Sequence, residues 1–415
     1  AKDKMNIPQI RFKGFEGEWN NELLKNLLSF SNGVNAPKEN YGKGRKMISV
    51  LDILNKGRLH YSNILNSVFV DNITEQKNKV VKGDLVFVRS SEIVEEVGLA
   101  KAYLDDDYAL HSGFTICGTK ISDFDSFFLE LSLNSVNRKE VERKAGGSTR
   151  YNVSQSVLND IHLFMPSQKE QTQIGDFFQK IDQVIELQQK ALDTARAYKQ
   201  SMLQKMFPQK GEKFPRVRFA GFSGDWEEEK LGNVATIYRG LTYKPTDVVR
   251  QGSGIRVLRS SNIDEDILVL NDDDIFVKKS AVKLENIKVG DILITAANGS
   301  SRLVGKHAVL TTELQNTVHG GFMLIARTSV PFFINSWMNT FEYKVMLQLV
   351  QGGNGAIGNL SKLTLEKCKI HVPKIEEQIA IGNFFQKLDQ QIEQQAQKLA
   401  TYQQLKKAML QRMFV

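Results

Sequence analysis

PSQKEQTQIGDFFQKIDQVIELQQKALDTARAYKQSMLQKMF, residues 166–207, occurs a second time as PKIEEQIAIGNFFQKLDQQIEQQAQKLATYQQLKKAMLQRMF, residues 373–414. The offset is 207 at both ends, and 22 of the 42 aligned positions are identical without a gap. The chain is therefore an internal duplication. Each copy predicts one long helix: a proline opens it, Gln, Glu, Lys, Leu and Ala dominate it, and no proline interrupts the first copy until Pro208. Alternate steps of four and three residues pick out Ile174, Phe178, Ile181, Ile185, Gln188, Leu192, Ala195, Lys199, Met202 and Met206. The same walk in the second copy gives Ile381, Phe385, Leu388, Ile392, Gln395, Leu399, Tyr402, Lys406, Met409 and Met413. An apolar seam with a 3.5-residue period is the signature of coiled-coil packing. Gln188 matches Gln395 and Lys199 matches Lys406; polar seam residues cost stability but fix register and partner. An amphipathic helix lying on its own globular domain is the competing reading, and the sustained seam together with the duplication favours helix-on-helix pairing.

The 415 residues suffice for two or three domains with real cores. With 41% hydrophobic and 25% charged residues the composition is that of a soluble globular protein. There is no apolar run of membrane-spanning length, and AKDKMNIPQIRF at the start lacks the apolar stretch of a signal peptide, so the expected setting is cytoplasmic with no membrane partner. Cys117 and Cys368 stand far apart in sequence, which argues against a disulfide framework or a zinc module. The net charge is +8, divided as +2 over residues 1–207 and +6 over 208–415. A mild basic excess in both halves tilts towards a polyanionic partner.

The segment PQIRFKGFEGEWNNELLKNL, residues 8–27, returns as PRVRFAGFSGDWEEEKLGNV, residues 215–234, again 207 apart. Its aromatic rings need a surface to bury against, so it reads as a folded clasp that docks each domain onto a helix. Between clasp and helix lies a region of about 140 residues in each half. Residues 48–53, 68–70, 85–88 and 114–117 predict short strands, with counterparts at 255–258, 275–277, 292–295 and 322–326. Lys82-Gly83-Asp84 and Val289-Gly290-Asp291 predict turns into apolar strands. Residues 124–143 and 331–349 predict helices. The fold class is mixed α/β, in two similar globular domains. The expected organisation is 1–165 as a first domain, 166–207 as a first helix, 208–214 as a linker, 215–372 as a second domain and 373–415 as a second helix. Frame and clasps are near-copies while the heads diverge, an arrangement suited to reading two different things.

Enzyme motifs are absent. Residues 299–306 resemble a phosphate-binding loop, but five residues separate the glycines and His307 stands where Ser or Thr is required. There is no Asn/Asp-Pro-Pro-aromatic tetrapeptide and no dinucleotide fingerprint. The aspartate triplets at 105–107 and 272–274 read as solvated turns, and the six histidines show no ligand spacing, so no metal site is expected. His111 and His319 recur in matched patterns and read as structural.

Loops rich in Gly, Asn, Ser and basic residues carry the functional signal. In the first half the candidate DNA contacts are Lys38, Tyr41, Lys43, Arg45 and Lys46; Arg89, Ser90 and Ser91; and Arg143, Lys144, Gly146, Gly147, Ser148, Thr149, Arg150, Tyr151 and Asn152. In the second half they are Arg239, Thr242, Tyr243 and Lys244; Arg250, Arg256, Arg259, Ser260 and Asn262; Asn298, Ser300 and Arg302; and Gln351, Gly352, Gly353 and Asn354. Glycine lets backbone approach phosphate, Lys and Arg neutralise it, and Arg, Asn, Gln and Ser reach base edges. Recurrence at equivalent places, notably Ala145-Gly146-Gly147 against Gln351-Gly352-Gly353, favours double-stranded DNA. A two-headed scaffold binding proteins or polysaccharide is the alternative from a different class.

The paired clasps PQIRFKGFEGEW and PRVRFAGFSGDW, the paired helices opening EQTQIGDFFQKIDQVIE and EQIAIGNFFQKLDQQIE, and their closing MLQKMF and MLQRMF resemble the specificity subunits of bacterial type I restriction-modification systems across essentially the whole chain. The resemblance implies two target-recognition domains spaced by an antiparallel coiled coil with two-fold pseudosymmetry, each domain reading half of a bipartite site. Some 40 helical residues at ~1.5 Å each would make a rod of roughly 60 Å. It also implies a non-catalytic subunit that binds no cofactor itself. S-adenosylmethionine, ATP and Mg would belong to two methyltransferase subunits, acting on adenines, and to motor-nuclease subunits that join through the complex.

Overall fold

The computed structural model describes residues 6–350 and 359–415. It resolves into two compact units, one made of residues up to 190 together with 397–415, the other of 191–396. The predicted helices are present as Gln168–Met206 and Ile375–Met413, 39 residues each. Each unit thus holds one globular region, the start of one long helix and the end of the other.

In the first unit an antiparallel sheet runs in the order Leu28–Asn32, Thr115–Lys120, Leu85–Val88, Ala100–Ala102. A second sheet places Tyr41–Ile48 between Asn66–Val68, antiparallel, and Leu110–His111, parallel. The second unit repeats the plan: Thr236–Arg239, Met323–Arg327, Ile292–Thr295, His307–Val309 in one sheet, and Val248–Val249, Ile275–Val277, Ile255–Leu258, Thr317–His319 in the other, only its last pairing parallel. Leu85–Val88 (LVFV) and Ile292–Thr295 (ILIT) are buried at every position, as continuous apolar strands must be when both sheet faces are covered. Alternation sends Leu85 and Phe87 into a core shared with the long helices, Val86 and Val88 into a second core. Ile292 and Ile294 against Leu293 do the same in the second unit.

The Gly-Asp turns explain themselves in this setting. Gly83 and Gly290 sit at φ +100° and +90°, where a side chain is disfavoured. Asp84 then accepts hydrogen bonds from the Val81 and Lys120 amides at 2.9 and 3.0 Å. Asp291 accepts from the Lys288 amide and takes a bidentate bond from Arg327 at 2.7 and 2.8 Å.

The clasps are structural. Arg11 donates twice to Glu170, at 2.7 and 2.8 Å, and Arg218 twice to Glu377, at 2.7 Å each. The same guanidinium groups bond the Gly17 and Gly224 carbonyls. Phe12 meets Phe177 and Phe219 meets Phe384 edge-on. The Ile10 and Val217 amides donate to the Arg412 and Lys205 carbonyls. Each clasp therefore ties the start of one long helix to the end of the other within its own unit.

Inside each unit the two helix segments run antiparallel. Phe178 meets Phe414 and, one turn on, Asp182 holds Lys406 at 2.6 Å; Phe385 meets Phe207 and Asp389 holds Lys199 at 2.7 Å. The matched lysines therefore pair with matched aspartates. Burial lowers the affinity of Lys199 for its proton, but Asp389 and Asp266 outweigh it and raise the pKa above that of an ordinary lysine. The seam serves two surfaces at once. Ile174, Phe178 and Ile181 enter the first unit's core beside Trp19 and Phe128, and Ile381 and Phe385 enter the second unit's beside Trp226 and Phe333. Ile185 and Leu388 pack against the rims of the same two cores, and Leu192 and Leu399 are buried while Ile392 is half-buried. Both readings of the helix thus describe part of it. Gln188 and Gln395 are half-buried with Oε1 enclosed and unpaired among the described residues, and Tyr402, placed in the seam by periodicity, is 36% exposed.

Residues 48–53 are not a strand. The strand ends at Ile48 and Val50–Leu54 is helical, because the Asp52 carboxylate accepts from the Ser49 amide and hydroxyl at 2.8 and 2.6 Å. The two expected long domain helices are each broken in two, Ser126–Asn134 with Arg138–Lys144 and Pro331–Trp337 with Phe341–Val350.

His111 is buried on the parallel strand, and Thr115 Oγ1, which donates to the Ser112 carbonyl, lies 3.1 Å from its Nδ1. Nδ1 must then carry the proton, which leaves Nε2 enclosed without a partner among the described residues. Burial pushes the pKa down from 6.5 to about 4. The unfolded chain takes up this proton before the folded one, so the contribution is complete above pH 6.5 and is lost as pH falls towards 4. Half-buried Glu130, raised to about 7 by burial, works in the opposite sense, so the variant must be compared with wild type. His111→Asn keeps a donor near Nδ1 and does not titrate. Urea titrations at pH 7 and pH 5 should show the wild type losing about 2 kcal/mol more than the variant, and equal losses would mean that His111 is not held neutral.

Candidate nucleic-acid interface

Four chain segments converge at one corner of the first unit. Ser90–Ser91 pairs with Tyr151–Asn152, which brings Arg89, Ser90 and Ser91 against the turn of residues 146–152. Gly146 bridges Asn152, and Gly147 turns the chain at φ +120°, where a Cβ would stand 2.0 Å from the Arg150 carbonyl. Gly113, in the third segment, lies against the fourth: its amide donates to the Val34 carbonyl, and the Asn35 carboxamide covers its α-carbon. Arg89 donates to the Gly113 carbonyl at 3.2 Å and Arg150 to Ser90 Oγ at 3.0 Å. Beside them opens a cleft of 610 Å³ lined by Asn32, Arg89, Lys144, Gly146 and Asn152.

The second unit builds the same corner with other residues. Leu241 bridges Gly320, the Ala296 and Ala297 amides donate to the Phe322 carbonyl, and Ala297 bridges Asn359. Through the shared ladders Asn35, Arg89, Ser90, Ser91 and Asn152 correspond to Thr242, Ala296, Ala297, Asn298 and Asn359. A cleft of 460 Å³ lined by Ser260, Asn271, Asn298 and Lys306 lies beside it.

The candidates divide by what already holds them. Lys38, Tyr41, Lys43, Arg143, Ser148, Thr149, Arg150, Arg239, Thr242, Lys244, Arg250, Ser300 and Arg302 are exposed. Others are committed inside the protein. Arg45 stacks on Tyr108 at 4.1 Å and bonds Glu75, and Lys46 donates to the Ile64 carbonyl. Lys144 binds Glu140 and the Asp160 carbonyl, Arg256 pairs with Asp274, Arg259 bonds the Asp273 carbonyl, and Asn262 is buried against Asp274. Tyr243 is half-buried against an apolar cluster, and Ser260 accepts from Thr295. Gln351, Gly352, Gly353 and Asn354 lie outside the described residues. Among the described residues no cluster of His, Cys, Asp or Glu could hold a metal, and no helix is long and apolar enough to cross a membrane.

Two residues of this corner were not among the candidates. Phe114 and Phe322 read as strand residues by β-propensity, yet each precedes its strand and points outward, 58% and 74% exposed. The signal available in the sequence is the Gly-Phe pair that follows each matched histidine.

The family model described as type I restriction modification DNA specificity domain matches twice, over residues 18–195 and 223–402. A Methanocaldococcus jannaschii protein assigned as the MjaX type I restriction enzyme specificity subunit is 21% identical over 402 residues, 91% of this chain and 88% of the relative. The StySPI specificity subunit of Salmonella potsdam is 25% identical over 187 residues, 44% of this chain and 40% of that one. The crystal structure of the type I restriction-modification S subunit from M. genitalium superposes with a TM-score of 0.66 over 99% of both chains at 14% identity. Of the two readings open from sequence, these matches favour DNA specificity over a scaffold. With its specificity domain present twice, this chain belongs to the type I restriction-modification DNA specificity family.

Proposed function

We propose that each unit reads one half of a bipartite DNA site, that the paired long helices set the spacer, and that two methyltransferase subunits dock on them, with motor-nuclease subunits joining through the complex. The chain itself is non-catalytic in this reading, and S-adenosylmethionine, ATP and Mg belong to its partners. The observation that carries it is the recurrence of one loop corner, built on one topology, in two units whose corner residues differ. Arg89, Ser90, Arg150 and Asn152 in the first unit offer donors and acceptors to phosphate and base edges. Thr242, Asn298 and Asn359 offer a less basic set in the second, as expected of heads that read different sequences.

Mapping methylated adenines in the source genome identifies the site. Binding of the full-length chain, with its methyltransferase partners, is then measured on that duplex and on scrambled ones across a salt series. Affinity should fall with salt by a log–log slope of about −0.9 per neutralised phosphate. Arg150→Ala should flatten the slope by about one unit if its guanidinium meets a phosphate. Equal affinity for all duplexes would end the specificity reading.

A further inference from the structure

We propose that Phe114 and Phe322 are base-contacting residues, one for each half-site, each packing its ring on a DNA base; this rests on the DNA reading above. Both rings occupy the same place in the fold, directly after a glycine and before the strand that pairs with the buried Leu85–Val88 or Ile292–Thr295. Their backbones are held: the Phe114 carbonyl accepts from the Arg89 amide, and the Phe322 carbonyl from the Ala296 and Ala297 amides. A tethered backbone with a free ring presents a large apolar surface at little cost in chain entropy. The ring of Phe114 lies among polar and basic groups, with the Arg150 guanidinium 5.9 Å from its centroid and Arg89 bonded to the carbonyl of its neighbour Gly113. Around Phe322, the side-chain hydroxyl of Thr242 lies against the α-carbon of the neighbouring Gly321, Asn298 follows the Ala297 amide that bonds the Phe322 carbonyl, and Arg239 pairs with Leu324 two residues away.

Basic groups around an outward ring suit a polyanion that also offers apolar surface, and in duplex DNA the thymine methyl groups and base edges of the major groove supply it. Few corner positions keep their residue between the two units: Ala296 stands where the first unit has Arg89, and Asn298 where it has Ser91, whereas the ring is Phe in both and Asn152 recurs as Asn359. The corner varies in most of its hydrogen-bonding groups and keeps its ring.

Binding of the full-length chain to its methylation-mapped duplex is measured for wild type, Phe114→Ala and Phe322→Ala. Each variant should lose roughly five- to hundredfold in affinity, as for the loss of one base contact in a specific site, with the salt slope unchanged because no phosphate contact is removed. Abasic substitution scanned through the site should reveal one position per half-site whose loss weakens wild type but not the matching variant. Undiminished affinity in both variants, or losses independent of every abasic position, would overturn the base contact while leaving the DNA reading standing. Intact DNA binding with impaired methyltransferase assembly would overturn it in favour of a protein contact. Failure of wild type to discriminate among duplexes would instead remove the reading beneath it. Circular dichroism of each variant, matching wild type, separates these outcomes from misfolding.

Discussion

Replacing Arg11 by methionine is expected to destabilise the protein by about 3–5 kcal/mol, because it leaves the Glu170 carboxylate buried and unpaired. Glu170 is 1% exposed and its two oxygens accept Nε and Nη2 of Arg11, so water cannot replace the lost partner. The cost belongs to the stranded charge more than to the pair. Converting both residues, in Arg11→Met with Glu170→Leu, should therefore recover most of the loss. Arg218→Met should act on the second unit in the same way through Glu377, also 1% exposed. Urea unfolding of the full chain followed by tryptophan fluorescence reads both, since Trp19 and Trp226 are buried in the two cores that the clasps close. A loss below about 1 kcal/mol for Arg11→Met would class the pair with ordinary surface bridges and would remove the clasp from the account of how helix and domain are joined.

What the sequence discloses follows from the range over which each signal is set. The long helices, the Gly-Asp turns and the LVFV and ILIT strands rest on local periodicity or on backbone conformation, and all were legible. Leu28–Asn32 and Ala100–Ala102 complete the first sheet with sequences LSFSN and AKA, which carry little β-propensity and become strands through edge pairing and the burial of Leu28, Ala100 and Ala102 in the first core. Residues 48–53 show the reverse: ISVLDI has strand composition, and the Ser49–Asp52 spacing that starts a helix was the stronger cue. Basic loop residues were beyond sequence reasoning for a different cause. Whether Arg45 is free depends on Glu75 and Tyr108, and whether Arg256 is free depends on Asp274, partners 18 to 63 positions away. The outward rings of Phe114 and Phe322 escaped notice because composition cannot tell a strand's first buried residue from the exposed residue before it.

Exchanging one globular region for that of another family member should change one half of the recognised site and leave the other untouched. Full affinity for the old site should fall by roughly 10³-fold or more, the usual gap between specific and non-specific binding. The structure says where to cut. Asn20–Leu23 pairs with His162–Met165, and Glu227–Lys230 with Lys369–Val372, so each region leaves and rejoins the clasp-and-helix frame at a two-stranded ladder. An exchange of residues 28–165 would import one strand of that ladder and keep the other, mixing side chains that face each other across it. Cutting at 24–161 keeps both strands native, with Glu170 and Arg11 undisturbed outside the exchanged segment. The equivalent cut in the second unit is 231–368. Leu24 and Leu231, both fully buried, then become the first residues that the imported region must match. Methylated-adenine mapping of cells carrying each chimera gives the answer directly. A change confined to one half-site supports two independent readers on a common frame. A change in both halves from a single exchange would mean that the units read their target jointly, and the duplication would then have to be explained by assembly instead of by recognition.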